Sequence, residues 1–300
     1  MAYQIRPQRN AAREVRRAAL DRIGEAVRAL MLPSTQRAEG VHQARKRFKE
    51  LRALLRLVRE PLGKTYPREN RTVAELGRAL AESREATAML ESWDALAETH
   101  PDLFARQSLQ QVRERLAQRA PKGADEALDA TIEQVLGELR ELAVRVNDWP
   151  LGRKDFRLFE EGLERTYRDG RRELARAQRA PDAERLHEWR KRVKDQWYHS
   201  QLLAPCWPRH FGCRAKELKR LATALGDDHD LAMMQQLLEA EPEVFGDEAT
   251  REQLAELIRD RRTELQAAAF ASGKRLYAES PTGLAERFAA YWRIARAEPD

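Results

Sequence analysis

Apolar residues recur along this chain at spacings of three and four, with few strictly alternating stretches. Between 41 and 58 they are Val41, Ala44, Phe48, Leu51, Leu55 and Val58, which form one stripe on a helix that turns about 100° per residue. The same periodicity predicts helices at about 8–31, 39–60, 68–98, 102–119 and 124–147, and then at 154–180, 184–203, 208–239, 247–277 and 281–296. Proline and glycine punctuate them at Pro33–Ser34, Pro61–Pro67, His100–Pro101, Pro121–Gly123, Ala180–Pro181, Pro205–Pro208, Glu241–Gly246 and Pro281. The stretch NDWPLG at 147–152 separates five helices from five.

Composition strengthens this reading. Ala, Leu, Glu and Arg dominate, and all but Glu head the helix-propensity scale with Glu close behind. The expected fold is all-α, with about ten helices. A length of 300 residues suggests about two domains, placed at 1–148 and 149–300. The first thirty residues are Arg-rich and lack a long apolar core, so no secretory signal is expected. No run of about eighteen apolar residues would span a membrane. A reduced, cytoplasmic protein is the expectation. Cys206 and Cys213, seven apart, are expected on one helix face as thiols rather than as a metal pair.

Charge changes the picture more. Net charge is only +6, although 35% of residues are charged, and 45 of the 55 basic residues are Arg. What matters is where the positive residues gather. HQARKRFK at 42–49 and HEWRKRVK at 187–194 both read H-x-x-R-K-R-x-K, at an offset of 145 residues. The same offset lays LGRALAESREATAM (76–89) over LATALGDDHDLAMM (221–234), Leu109 over Leu254 and Val112 over Leu257. An ungapped register through helix, loop and helix points to an internal duplication. Two antiparallel helical bundles related by a pseudo-two-fold axis follow as the expected architecture.

On the first motif helix, His42, Arg45, Lys49, Arg52, Arg56 and Arg59 form a second stripe about a quarter turn from the apolar one. Neighbours on such a stripe lie roughly 5–6 Å apart. Stacked like charges cost stability, and acidic residues are nearly absent from this row, so a polyanionic partner is implied. The second copy keeps His187, Arg190 and Lys194 on the equivalent face, then places Trp197 and Gln201 where Arg52 and Arg56 stand. The preceding helix carries Arg165, Arg168, Arg172, Arg176 and Arg179 in a row, with Arg171 beside it. Arg forks match phosphate oxygens. Histidine adds no fixed charge at neutral pH, but it can take a proton as a polyanion arrives or donate an uncharged hydrogen bond.

With these residues in view, the chain resembles the CHAD family, the conserved-histidine α-helical domains. V-H-Q-x-R at 41–45 with Lys49, Arg52 and Arg56 is similar to the family's first signature. L-H-E-x-R-K-x-V-K at 186–194 with Tyr198 is similar to the second, and L-G-x-x-H-D-L at 225–231 to a later motif. Tyr167, Arg168, Gly170 and Arg171 match a Y-R-x-G-R segment. The departures are Glu50 and Asp195 in place of basic residues, Trp197 in place of Arg, and Ala81 and Glu85 in place of Gly and Asp beside Arg84.

The resemblance implies a basic surface or pore where two helical bundles meet, and binding of inorganic polyphosphate without a demonstrated common catalytic activity; the chain is expected not to be an enzyme. The implied contacts are His42, Arg45, Lys46, Lys49, Arg52, Arg56, Arg168, Arg171, Arg172, His187, Arg190, Lys191, Lys194 and His229. Neither a cofactor nor a metal is expected, and polyphosphate granules are a further expected location. Nucleic acid is the alternative polyanion. The other alternative is a metal-dependent phosphohydrolase using His229 and Asp230 of DDHD at 227–230. His199 and His210 read as structural, and the six tryptophans as core or bundle-contact residues rather than a stacking platform.

Overall fold

The structure is a computed structural model and describes residues 3–80, 85–105, 107–118, 126–152 and 154–298. The helices α1 (Ala11–Leu30), α2 (Arg37–Leu57), α3 (Arg59–Leu62), α4 (Thr65–Ala79), α5 (Glu85–Thr99), α6 (Pro101–Phe104), α7 (Gln107–Gln118) and α8 (Glu126–Val146) precede the NDWPLG stretch. After it come α9 (Glu160–Arg179), α10 (Ala183–Leu202), α11 (Pro208–Ala240), α12 (Glu248–Leu276) and α13 (Pro281–Ala297). Short 3-10 turns join several of them, and there is no strand among the described residues. The fold is all-α, as the periodicity indicates.

Helix starts follow capping chemistry. The side chains of Asn10, Asp182, Asp247 and Ser280 accept the backbone N–H groups of Arg13, Arg185, Thr250 and Gly283 at the heads of α1, α10, α12 and α13. The Pro61–Pro67 region is more helical than its prolines suggest. Both prolines fall in the first turn of a helix, where a missing N–H costs nothing. The chain turns instead at Gly63, whose φ of +50° strains any side-chain-bearing residue. The periodic stretch 68–98 is divided into α4 and α5. Residues 81–84, which include Ala81 and Arg84, lie outside the described residues, as does the Pro121–Gly123 break.

All six residues of the 41–58 stripe are buried, none more than 4% exposed. They belong to a large core shared by α1, α2, α3, α4, α8, α9, α10, α11, α12 and α13. A second core joins Trp93, Leu96, Phe104, Val112 and Leu116 to Met234, Leu238, Phe245, Leu254 and Ile258. Both cores draw residues from either side of position 148. The two cysteines are unpaired: Cys206 is buried in the turn before α11 and Cys213 is exposed on α11, so they do not share a helix. Among the described residues no helix is long and apolar enough to cross a membrane.

Candidate functional site

The two helices that carry H-x-x-R-K-R-x-K pack directly on each other. Arg56 Nη1 of α2 donates to Asp195 Oδ1 of α10 at 2.9 Å. His199 of α10 is buried and hydrogen-bonds the Ala53 carbonyl of α2 through Nε2 at 2.9 Å. Burial pushes this imidazole down to about 4, so the ring is neutral at pH 7 and Nε2–H is the donor. His199 therefore holds the site's walls together, the structural part expected of it.

Against α10 packs α11, and the three helices, together with Tyr3, Gln4 and Arg22 of α1, line an open cavity of about 1000 Å³. His42, Lys46 and Lys49 reach it from α2, Arg190 and Lys194 from α10, and Lys216 and Lys219 from α11. Lys46, Lys216 and Lys219 make no ion pair among the described residues. Asp230 also lines the cavity. Lys and Arg at one face of each of three helices give a concave positive surface, with low-dielectric walls that concentrate the field.

The rest of the ladder has other partners. Arg45 Nη1 donates to the Leu80 carbonyl at the end of α4 at 3.0 Å. Arg52 Nε donates to Asn70 Oδ1 at 3.1 Å, and burial, with Arg56 nearby, lowers its guanidinium to about 10. Arg45, Arg52 and Arg56 thus tie α2 to α4 and α10, and none of them lines the cavity. Glu50 and Asp195, which stand where basic residues were expected, are buried counter-ions. Glu50 pairs with Arg22 at 3.0 Å and Arg47 at 2.9 Å, and Asp195 pairs with Arg56 and with Arg192 at 3.0 Å.

Arg168, Arg171 and Arg172 are exposed on α9 and do not line the cavity. Arg168 pairs with Glu164 at 3.3 Å, and Arg172 with Asp169 and Glu173, each at 3.1 Å. Lys191 is likewise exposed and pairs with Glu188. This is the chemistry of a solvated helix face.

His187 and His229 flank the cavity rather than line it. Their rings face one another, centroids 4.3 Å apart, and both Nδ1 atoms are buried without a hydrogen-bond partner. Burial, then His229, Lys191 and Arg190, push His187 down to about 4. Burial also lowers His229, against the opposing pull of Asp230. Next to them the Arg190 guanidinium lies across α11, where its Nε donates to the Ala222 carbonyl at 3.3 Å. Gly226 makes room for it: a Cβ there would stand 2.6 Å from Arg190 Nη2. The DDHD run is split by the helix. Asp228 is buried against α12, accepting from Arg262 at 3.1 Å and Gln266 at 2.8 Å, while Asp230 turns to the cavity. Among the described residues no three His, Cys, Asp or Glu side chains converge as metal ligands.

The model of the CHAD domain family matches residues 13–239. The chain belongs to the CHAD family. The matched stretch runs from α1 into the last turn of α11 and takes in all three helices that wall the cavity. The crystal structure of the CHAD domain from the plant Ricinus communis has the same fold, with a TM-score of 0.54 over 93% of this chain and 95% of that one, at 18% identity. No curated protein matches the chain at a significant level.

Within this CHAD fold, Arg22, Arg47, Lys216 and Lys219 are cavity cations outside the contacts read from the sequence; Arg22 and Arg47 are paired with Glu50, whereas Lys216 and Lys219 are not ion-paired among the described residues. The i, i+3 spacing of the two lysines on α11, just ahead of L-G-x-x-H-D-L, was the available signal. It lay outside the repeated block, so the repeat did not mark it.

Proposed function

We propose that this CHAD domain binds inorganic polyphosphate in the cavity between α2, α10 and α11, without turning it over. The observation that carries the reading is the convergence there of Lys46 and Lys49 with Arg190 and Lys194, the two repeated blocks contributing to one concavity alongside Lys216 and Lys219. A linear polymer with evenly spaced charge engages such a surface along its length and releases counterions as it does so. The contacts are His42, Lys46, Lys49, Arg190, Lys194, Lys216 and Lys219, with His187 and His229 behind Arg190 able to accept protons as negative charge arrives. Arg45, Arg52 and Arg56 act on the ligand indirectly, by fixing α2. The same contacts would bring the protein to polyphosphate granules in the cytoplasm.

The test is an equilibrium competition of long-chain polyphosphate against RNA and DNA at equal phosphate concentration. Polyphosphate should displace both nucleic acids, with no orthophosphate released in the presence of Mg²⁺, Mn²⁺ or Zn²⁺. Displacement of polyphosphate by RNA or DNA would replace this reading with the nucleic-acid one. Phosphate release abolished by Asp230→Ala would replace it with the phosphohydrolase one.

A further inference from the structure

The cavity wall changes character along α10. Arg190, Lys194, Trp197 and Gln201 follow one another on the cavity face of α10 at spacings of four, three and four, and Ala204 of the next turn follows them. The first two are cations and the rest are not. Gln4, on the N-terminal segment, adds a second carboxamide to the lining. The side-chain amides of Gln4 and Gln201 make no hydrogen bond within the protein among the described residues.

Trp197 sets this end apart. Trp93, Trp149, Trp189 and Trp292 are buried in the cores and Trp207 is exposed elsewhere, whereas Trp197 is half-buried and lines the cavity. Its indole is stacked on Tyr198, with centroids 4.9 Å apart and planes at 21°, which fixes the ring's tilt. At the matching position of the first repeat stands Arg52, a cation.

An indole face gives a bare phosphate chain nothing, because the negative face of an aromatic ring repels anions. A heterocyclic base gains there by stacking, and carboxamides offer its edge both a donor and an acceptor. From the juxtaposition of Arg190 and Lys194 with Trp197 and Gln201 we infer that the cavity takes nucleoside polyphosphates, the phosphates on the cationic turns of α10 and the base against Trp197. This rests on the cavity being the anion site proposed above, and it adds a base-recognising end to it. Lys194 and Trp197 are three residues apart, about 4.5 Å along the helix axis, so a base joined through a ribose to its phosphates reaches both ends at once.

The experiment is a calorimetric titration of the 300-residue chain with adenosine triphosphate and with inorganic tripolyphosphate, under identical salt and pH. The nucleotide should bind about tenfold more tightly, the gain expected of one base–aromatic stack. Trp197→Ala should remove that difference and leave tripolyphosphate binding unchanged, and Trp197→Phe should restore part of it. The wild-type comparison stands even if a Trp197 variant folds poorly. Tripolyphosphate binding as tightly as the nucleotide overturns the base subsite and leaves the anion cavity intact. Binding of neither overturns both.

Discussion

The His187 and His229 rings lie 4.3 Å apart, tilted by 40°, with both Nδ1 atoms buried and unpartnered, one on each of the two helices that hold the site's second-half charges. Two imidazoles this close cannot both be protonated cheaply, and the cations Arg190 and Lys191 add to the penalty. The pair is therefore neutral at pH 7 in the folded protein.

Stability should accordingly fall in mild acid. His187 is held at about 4 in the folded protein and returns to about 6.5 on unfolding, so between these values the unfolded chain binds more protons. His229 is lowered in the same direction. Denaturation of the unliganded protein should show stability declining as pH drops from about 6.5 to about 4. In His187→Gln the decline should be shallower, and an unchanged slope would show that the histidine is not held neutral.

Charge reversal should separate the cavity from the α9 row. Lys46→Glu with Lys49→Glu should weaken polyphosphate binding at least about tenfold and reduce the salt slope by about two, one per lost phosphate contact. Arg168→Glu with Arg172→Glu should leave affinity within about twofold, since those side chains lie outside the cavity. Equal losses in both variants would place the ligand on the helix surface instead.

Asp195→Ala removes a buried carboxylate that serves both Arg56 and Arg192. Breaking such a pair from one side strands the other charge, at a cost of about 3–5 kcal/mol. Urea unfolding should register that loss. A change below about 1 kcal/mol would mean the pair is no stronger than a surface salt bridge.

Gly226→Ala should dissociate stability from binding. The new methyl meets only the far end of a flexible side chain, and Ala is the better helix former, so the melting temperature should hold or rise slightly. The displaced Arg190 guanidinium should cost polyphosphate affinity. Unaltered binding would remove Arg190 from the contact set.

The sequence displayed the helices and the inward face of α2 plainly, because a period of 3.6 residues is a local property. It displayed the cation stripe too, but not what each cation meets. Arg45, Arg52 and Arg56 share a face with Lys49, yet their partners Leu80, Asn70 and Asp195 come from distant segments. Glu50 and Asp195 read as interruptions of a basic motif, and only the fold shows them compensating four arginines. Lys216 and Lys219 belong to a helix whose cavity face is set by packing against α10, which no spacing rule reveals. Trp197 reads as a core or bundle-contact residue because a helical wheel does not distinguish a core-facing edge from a cavity-facing one.

The central claim is that both repeated blocks serve one cavity, and binding stoichiometry tests it most directly. A short-chain polyphosphate should titrate at one chain per protein. Lys46→Ala with Lys49→Ala, and separately Arg190→Ala with Lys194→Ala, should each lower affinity while the ratio stays at one. Two chains per wild-type protein, falling to one in either variant at unchanged affinity, would show two independent sites and contradict the shared cavity.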